Sequence, residues 1–440
     1  MISVPITTLI SNFCSYISRG NFLKGALAFA FLAVLCLSMF SAFASKVNAQ
    51  QSTADWPMFH ADPSHNGSGT GHPTLTPKLL WNYDLGEQFY SSPAVFNSVV
   101  YIGSPNGNIY ALNAANGAYI WSSAAGAVGS SPAVVKGVVY IGSDDGNVYA
   151  FDASNGGTLW NYTTGGEVYS SPAVANGVVY VGSEDYNVYA LNATNGDKLW
   201  NYTTGGEVYS SPAVVNNTVY IGSDDNNVYA LNATNGDKLW NYTTGGFVKS
   251  SPAVASGVVY VGSDDCNVYA LNAADGIQLW NYTTGFSVES SSAVVNNTVY
   301  VGSEDGNVYA LNATDGVKLW SYATGGPVDS SPAVSNGVTY VGSDDGDVYA
   351  LNATDGVRLW SYPTGPVDSS PAVSNGVTYV GSEDGNVYAL GDLPASSNNL
   401  PIVIVGIAAV LIVATVVFLM FKKRFKAKPT TSQSPQQNPT

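Results

Sequence analysis

The 440-residue chain holds three cysteines, three histidines and four methionines, and this scarcity removes several chemistries at once. Cys14 and Cys36 fall in an apolar leader and Cys266 stands alone among the repeats, so there is no disulfide framework. No Cys-x-x-Cys-His is present for haem attachment, and no two cysteines are adjacent. His60, His65 and His72 all precede the repeats and read as outside the ring, which leaves the repeats without a histidine base or metal ligand. Positive charge is scarce as well. Between Asp55 and Asp392, where all 31 acids lie, only seven residues are basic, a net charge of −24. So acidic a domain excludes nucleic acid as a partner and argues against anionic lipid. No apolar spacing of 3.6 residues runs through the region, so amphipathic helices are excluded there.

What is present is repetition. Tryptophan falls at Trp81, Trp121, Trp160, Trp200, Trp240, Trp280, Trp320 and Trp360, a step of 40 with a single 39. One unit, residues 168–203, contains four β-prone runs bounded by turn formers: Val168 to Ala175, Val178 to Gly182, Val188 to Leu191 and Leu199 to Thr203. Asn176-Gly177 joins the first pair as a type I′ turn, and Asn336-Gly337 and Asn375-Gly376 repeat it, because both residues tolerate positive φ. Tandem four-stranded antiparallel units of about 40 residues specify propeller blades. The first-strand motif Ser-Ser-Pro-Ala-Val, with a Ser-Ser-Ser variant at Ser290, and the second-strand motif Tyr-x-Gly-Ser each occur eight times. The eighth unit, however, stops at Ala389-Leu390-Gly391-Asp392 without a tryptophan strand, whereas Leu79 to Asp84, LLWNYD, is a tryptophan strand without a blade. The expectation is an all-β, eight-bladed propeller over residues 79–392, closed by pairing this N-terminal strand with the last blade.

The stretch ALNATNGDKLW, residues 190–200, is one of seven near-copies along the chain. Its glycine, Gly196, sits where a β-carbon is disfavoured, and its tryptophan is expected to pack on the neighbouring blade. The pattern Ala-x-Asn/Asp-x-x-x-Gly-x-x-x-Trp resembles the tryptophan-docking motif of the pyrroloquinoline quinone (PQQ) propeller repeat. That repeat occurs in quinoprotein alcohol dehydrogenases and in the lipoprotein of outer-membrane barrel assembly. Residues 55–67, DWPMFHADPSHNG, are similar to the lead-in of such proteins, and the resemblance spans about 55–392. It implies the propeller fold and, in the enzyme members, PQQ over a calcium ion beside an aspartate base and under a disulfide of adjacent cysteines. The disulfide is missing here. The near-identical repeats also lack the unlike residues a catalytic constellation needs. No catalytic or cofactor residue is therefore assigned, and PQQ or Ca²⁺ is implied by the resemblance alone.

Two surface features remain. Acidic pairs occupy the turns between second and third strands, among them Asp144-Asp145, Asp224-Asp225, Asp264-Asp265 and Asp344-Asp345. All these turns emerge on one face and could offer oxygen ligands to a cation, but their spacing is no calcium-loop signature and favours soluble hairpin turns. Sequons follow the tryptophan at Asn161, Asn201, Asn241 and Asn281, on the outermost strand, and make these four the glycosylation candidates.

The chain's ends point to a membrane. Residues 1–49 combine Arg19 and Lys24, an apolar run and Val47-Asn48-Ala49, the pattern of a cleaved secretory signal, with a retained signal anchor as the alternative. Residues 50–78 lead into the ring and 393–400 link it to a span. Residues 401–421 carry no charge and are long enough to cross about 30 Å of hydrocarbon as a helix. Basic residues from Lys422 to Lys428 then place the 422–440 tail in the cytoplasm and the propeller outside. The resulting expectation is a non-enzymatic, single-pass surface protein that binds a protein or polysaccharide on one propeller face. An oxidoreductase with an atypical PQQ or metal site is the competing reading.

Overall fold

A computed structural model describes residues 55–69, 78–88 and 90–391. Its sheets are eight four-stranded blades, each running antiparallel from the axis outward. In the third blade the strands are Ala173–Ala175, Val178–Gly182, Asn187–Asn192 and Lys198–Thr203, with Ala173 opposite Tyr180, Tyr180 opposite Ala190 and Ala190 opposite Trp200. Ring closure follows the sequence expectation. Leu79–Asp84 pairs antiparallel with Asn386–Gly391, placing Trp81 opposite Ala389, so the first strand of the ring is the outer strand of its last blade. Among the described residues no helix is long and apolar enough to cross a membrane. The leader, His72 and the 401–421 segment lie outside the described residues.

The core lies between blades rather than at the centre. One cluster joins Tyr180, Val188, Ala190 and Trp200 of the third blade to Val219, Ile221, Tyr229 and Leu231 of the fourth. This follows from strand alternation, since each blade shows one apolar face to each neighbour. Trp200 Nε1 donates to the Ala233 carbonyl of the next blade at 3.0 Å, and Tyr180 Oη donates to the same oxygen at 3.1 Å. The next copy of the motif supplies the socket. A β-carbon on Gly196 would lie 2.7 Å from Cε3 of Trp160, and the residue has φ +76°, so both packing and backbone require glycine. Trp81 repeats this geometry on Ala114, at 2.9 Å.

The inner strand is shorter than the sequence suggests: Ala173–Ala175 pairs, whereas residues 168–172 do not. The reason is that their polar groups are committed elsewhere. Pro172 has no N–H, and the Ser171 amide donates to Ser211 Oγ of the next blade. That bond is one of a closed cycle in which Ser92, Ser131, Ser171, Ser211, Ser251, Ser291, Ser331 and Ser370 each donate an amide to the next serine hydroxyl, Ser370 returning to Ser92. The type I′ turn is present as expected, with φ 51° at Asn176 and 81° at Gly177.

One sequence expectation is overturned. His60 and His65 lie not outside the ring but within it, because residues 56–69 run around its inner wall. Trp56 bridges Val95, and the carbonyls of Pro57, Pro63, Ser64, Asn66 and Gly67 accept the amides of Val134, Val214, Val254, Val294 and Val334. Ser68–Gly69 then adds a parallel pair to Ala333–Ser335. The free edges of the innermost strands, which would otherwise be unpaired, are satisfied by the chain's own lead-in.

Candidate site at the acidic mouth

The acidic pairs emerge on one face, as their position between second and third strands requires, but the two acids of a pair do different things. The second is consumed by its turn. Asp185 accepts Tyr189 Oη at 2.5 Å, the Gly165 amide at 2.7 Å and the Asn187 amide at 3.0 Å, which ties the turn to the connector from the preceding blade. Burial pushes the Asp185 carboxyl up, but the tyrosine and amide hydrogen bonds outweigh it and hold it below the usual range. Asp145 and Asp225 are held down in the same way. Asp265 and Asp345 receive the same tyrosine and amide bonds. These second acids are turn staples, which removes half of the cation-ligand candidates.

The first acids turn toward the axis. Burial raises the carboxyls of Asp144 and Asp264, and that of Asp224 reaches about 6. Buried oxygens of Asp144, Asp224, Asp264 and Asp344 have no hydrogen-bond partner. Next to them stand the residues just before the Ser-Ser motif, which sequence reasoning misses because they differ from blade to blade: Tyr169, Tyr209, Lys249, Glu289, Asp329 and Asp368. Lys249 pairs with Glu289 at 2.7 Å and Asp264 at 3.4 Å. Across the seventh and eighth blades, Asp329, Asp344 and Asp368 bring one carboxylate oxygen each within 4.8 Å of one another. Burial, then the charges of Asp344 and Glu289, push Asp329 up to about 7. Burial and a hydrogen bond with Asp344 push Asp368 up as well.

Three oxygens at this spacing suit a hard cation or shared protons. Calorimetric titration is expected to show heat with millimolar Ca²⁺ at about pH 9.5, above the raised carboxyls of Asp329 and Asp368. The same titration at pH 5 should show little, and silence at both would retire the cluster as a cation site. The pH dependence of stability has two arms. Asp329 binds its proton more tightly folded than unfolded, so stability falls as pH rises from 3.8 through about 7. His60 and His65 are fully buried and pushed by burial from 6.5 to about 3 and about 4, so they oppose Asp329 over the same range, their stabilisation being lost as pH drops below 6.5. Asp329→Asn is expected to raise the melting temperature by a few degrees at pH 8 and to leave it unchanged at pH 4, as read by calorimetric scans.

The family model described as outer membrane protein assembly factor BamB matches residues 74–127, 105–210, 204–331 and 324–393. The chain belongs to the BamB family. No curated protein sequence matches it. Among solved structures, this BamB-family propeller resembles BamB from Moraxella catarrhalis at 20% identity, covering 72% of this chain and 100% of that one with a TM-score of 0.64. It also resembles a quinohemoprotein alcohol dehydrogenase, ADHIIG from Pseudomonas putida HK5, at 17% identity, covering 78% and 82% with a TM-score of 0.67. The computationally designed Ika8 protein is similar at 18% identity, with coverage of 73% and 100% and a TM-score of 0.65. At these identities the likeness is one of fold.

The inner wall of this family member is taken by residues 56–69, and the mouth above it is lined by carboxylates, with Lys249 as the one base on that face among the described residues. A shallow hollow of about 370 Å³ lined by Glu87, Gln88, Tyr90 and Pro105 opens on the same face, at the blade whose turn carries Pro105-Asn106 in place of an acidic pair. The four sequon asparagines are exposed on outer strands, where Asn201 Nδ2 bonds Asn187 Oδ1 across the blade at 3.0 Å.

Proposed function

We propose that the protein is a non-enzymatic, membrane-anchored propeller that works as a binding or scaffold module outside the cell membrane. Residues 401–421 span the membrane and the acidic mouth is offered to a protein or polysaccharide partner. The observation that carries this reading is the occupied inner wall. The lead-in uses the amides of Val95, Val134, Val214, Val254, Val294 and Val334, so the inner wall, along which a propeller enzyme would seat a cofactor, is lined by the chain itself. The mouth's predominantly negative charge supports a cationic partner surface over an anionic cofactor.

The test is direct. Purified protein incubated with PQQ and Ca²⁺ is expected to show neither quinone absorbance nor bound quinone by mass spectrometry, and no dye-linked oxidation of alcohols. Stoichiometric quinone with alcohol oxidation would replace this reading by the enzymatic one.

A further inference from the structure

The two faces of the ring differ in charge and in exposed apolar surface. One carries the acidic turns and the mouth. The other is built from the turns between first and second strands and between third and fourth strands. Six of the ring's seven bases lie on this second face and all are exposed: Lys78, Lys136, Lys198, Lys238, Lys318 and Arg358. A similar number of aspartates balances them, so the face is near neutral while the opposite one holds most of the acids. The charge of the whole domain, which argued against anionic lipid, hid this polarity.

Exposed apolar side chains follow the same division. Of sixteen large ones among the described residues, twelve edge the second face, and Tyr90, Tyr186, Phe247 and Phe286 lie on the first. The cause is a β-bulge repeated in the outer strands. In the third blade Leu191 pairs with Lys198 and Ala190 with Trp200, which leaves Leu199 unpaired and 51% exposed. The arrangement recurs with a basic neighbour at Lys238-Leu239, Lys318-Leu319 and Arg358-Leu359. Ile277 and Val317, 62% and 58% exposed, extend the apolar edge in the fifth and sixth blades.

We propose that this second face rests on the lipid surface, with the bulged leucines in the interfacial region and the neighbouring bases on anionic headgroups; the proposal rests on the membrane-anchored reading above. Alternating leucine and base is the composition of interfacial segments. Where the chain leaves the ring decides the orientation. Gly391 ends the last strand on this face, its amide bonded to the Lys78 carbonyl at 2.8 Å. Residues 392–400 then reach at most about 30 Å, and a six-residue strand is about 20 Å tall, so a membrane on the acidic side would use most of the linker merely to climb the blade. That orientation would also press the acidic mouth against headgroups.

Full-length protein reconstituted in phosphatidylcholine vesicles containing phosphatidylglycerol tests this. Cys14, Cys36 and Cys266 are changed to serine, and single nitroxide labels are placed through Leu199→Cys, Leu319→Cys, Tyr186→Cys or Phe247→Cys. Labels at 199 and 319 are expected to collide several-fold more with dissolved oxygen than with a water-soluble nickel chelate, and labels at 186 and 247 to show the reverse. Combining Lys198→Glu, Lys238→Glu and Lys318→Glu should weaken the face's partition by roughly fivefold per base lost. Protein that floats with the vesicles while 199 and 319 stay as open to the nickel chelate as 186 leaves the anchor standing and overturns the docking. Labels at 199 and 319 shielded from both relaxants indicate a protein neighbour and overturn it too, as do glycans found on the Asn-Ala-Thr sequons at Asn192, Asn232, Asn312 or Asn352 of this face. Protein that fails to float overturns both anchor and docking.

Discussion

Trp81→Ala is expected to lower stability as much as Trp200→Ala, by about 3–5 kcal/mol in each case, although one residue closes the ring and the other lies within it. The expectation rests on equal geometry. Both indoles are nearly buried, both donate to an alanine carbonyl of the next blade, at 2.9 Å and 3.0 Å, and both pack beside a second-strand tyrosine with ring centroids 5.9 Å apart. The consequences differ in kind. Loss of Trp200 loosens one junction between blades that remain covalently continuous. Loss of Trp81 loosens the junction between the eighth blade and the first, which are joined covalently only through the closing strand, so opening there releases both chain ends. Denaturant melts give the energies, and hydrogen exchange at Asn386–Gly391 is expected to accelerate in the Trp81 variant alone. A Trp81 variant of unchanged stability would show that the closing strand is not a working part of the ring.

The second large effect is expected at Gly67. This residue has φ +65°, and a β-carbon on it would lie 2.6 Å from Ala293 Cβ and 3.2 Å from the Pro332 carbonyl, with no flexible side chain able to give way. Gly67→Val combines this clash with a left-handed backbone that a β-branched residue resists, a penalty of about 2–4 kcal/mol. Relief requires the lead-in to leave the wall. The amides of Val214, Val254, Val294 and Val334 would then lose the carbonyls of Pro63, Ser64, Asn66 and Gly67. Their hydrogen exchange is expected to change from slow to fast while the outer strands stay protected. If those amides stay protected, the lead-in holds its place more strongly than the local geometry implies.

Legibility followed the repetition. The docking tryptophan recurs in all eight blades and its glycine socket in seven, at a fixed offset, so near-copies of one sentence reveal the contact even though its partners sit in different blades. The Ala233 carbonyl, shared by Trp200 and Tyr180, is not itself readable from the motif, but both donors belong to patterns that the spacing exposes. The acidic pairs were legible as a ring of turns on one face. Their division of labour was not, because the two acids of a pair look alike in sequence. In the third blade Glu184 and Asp185 are adjacent carboxylates, and only the fold shows that Asp185 is the one that meets Tyr189 and the incoming connector.

The sequence alone determined the strand count, the order of the blades, the type I′ turns and the closure, since these depend on contacts within a repeat or with its next copy. Tertiary structure alone decided three things. It put His60 and His65 inside the ring, because the lead-in occurs once and its partners are backbone amides, which carry no side-chain signature. It brought Asp329, Asp344 and Asp368 within 4.8 Å, because two positions of one repeat and one of the next converge only where the blades meet the axis. It also separated bases and bulged leucines from the acidic turns, because antiparallel strands send alternate turns to opposite faces, so near neighbours in the chain end on surfaces of opposite character.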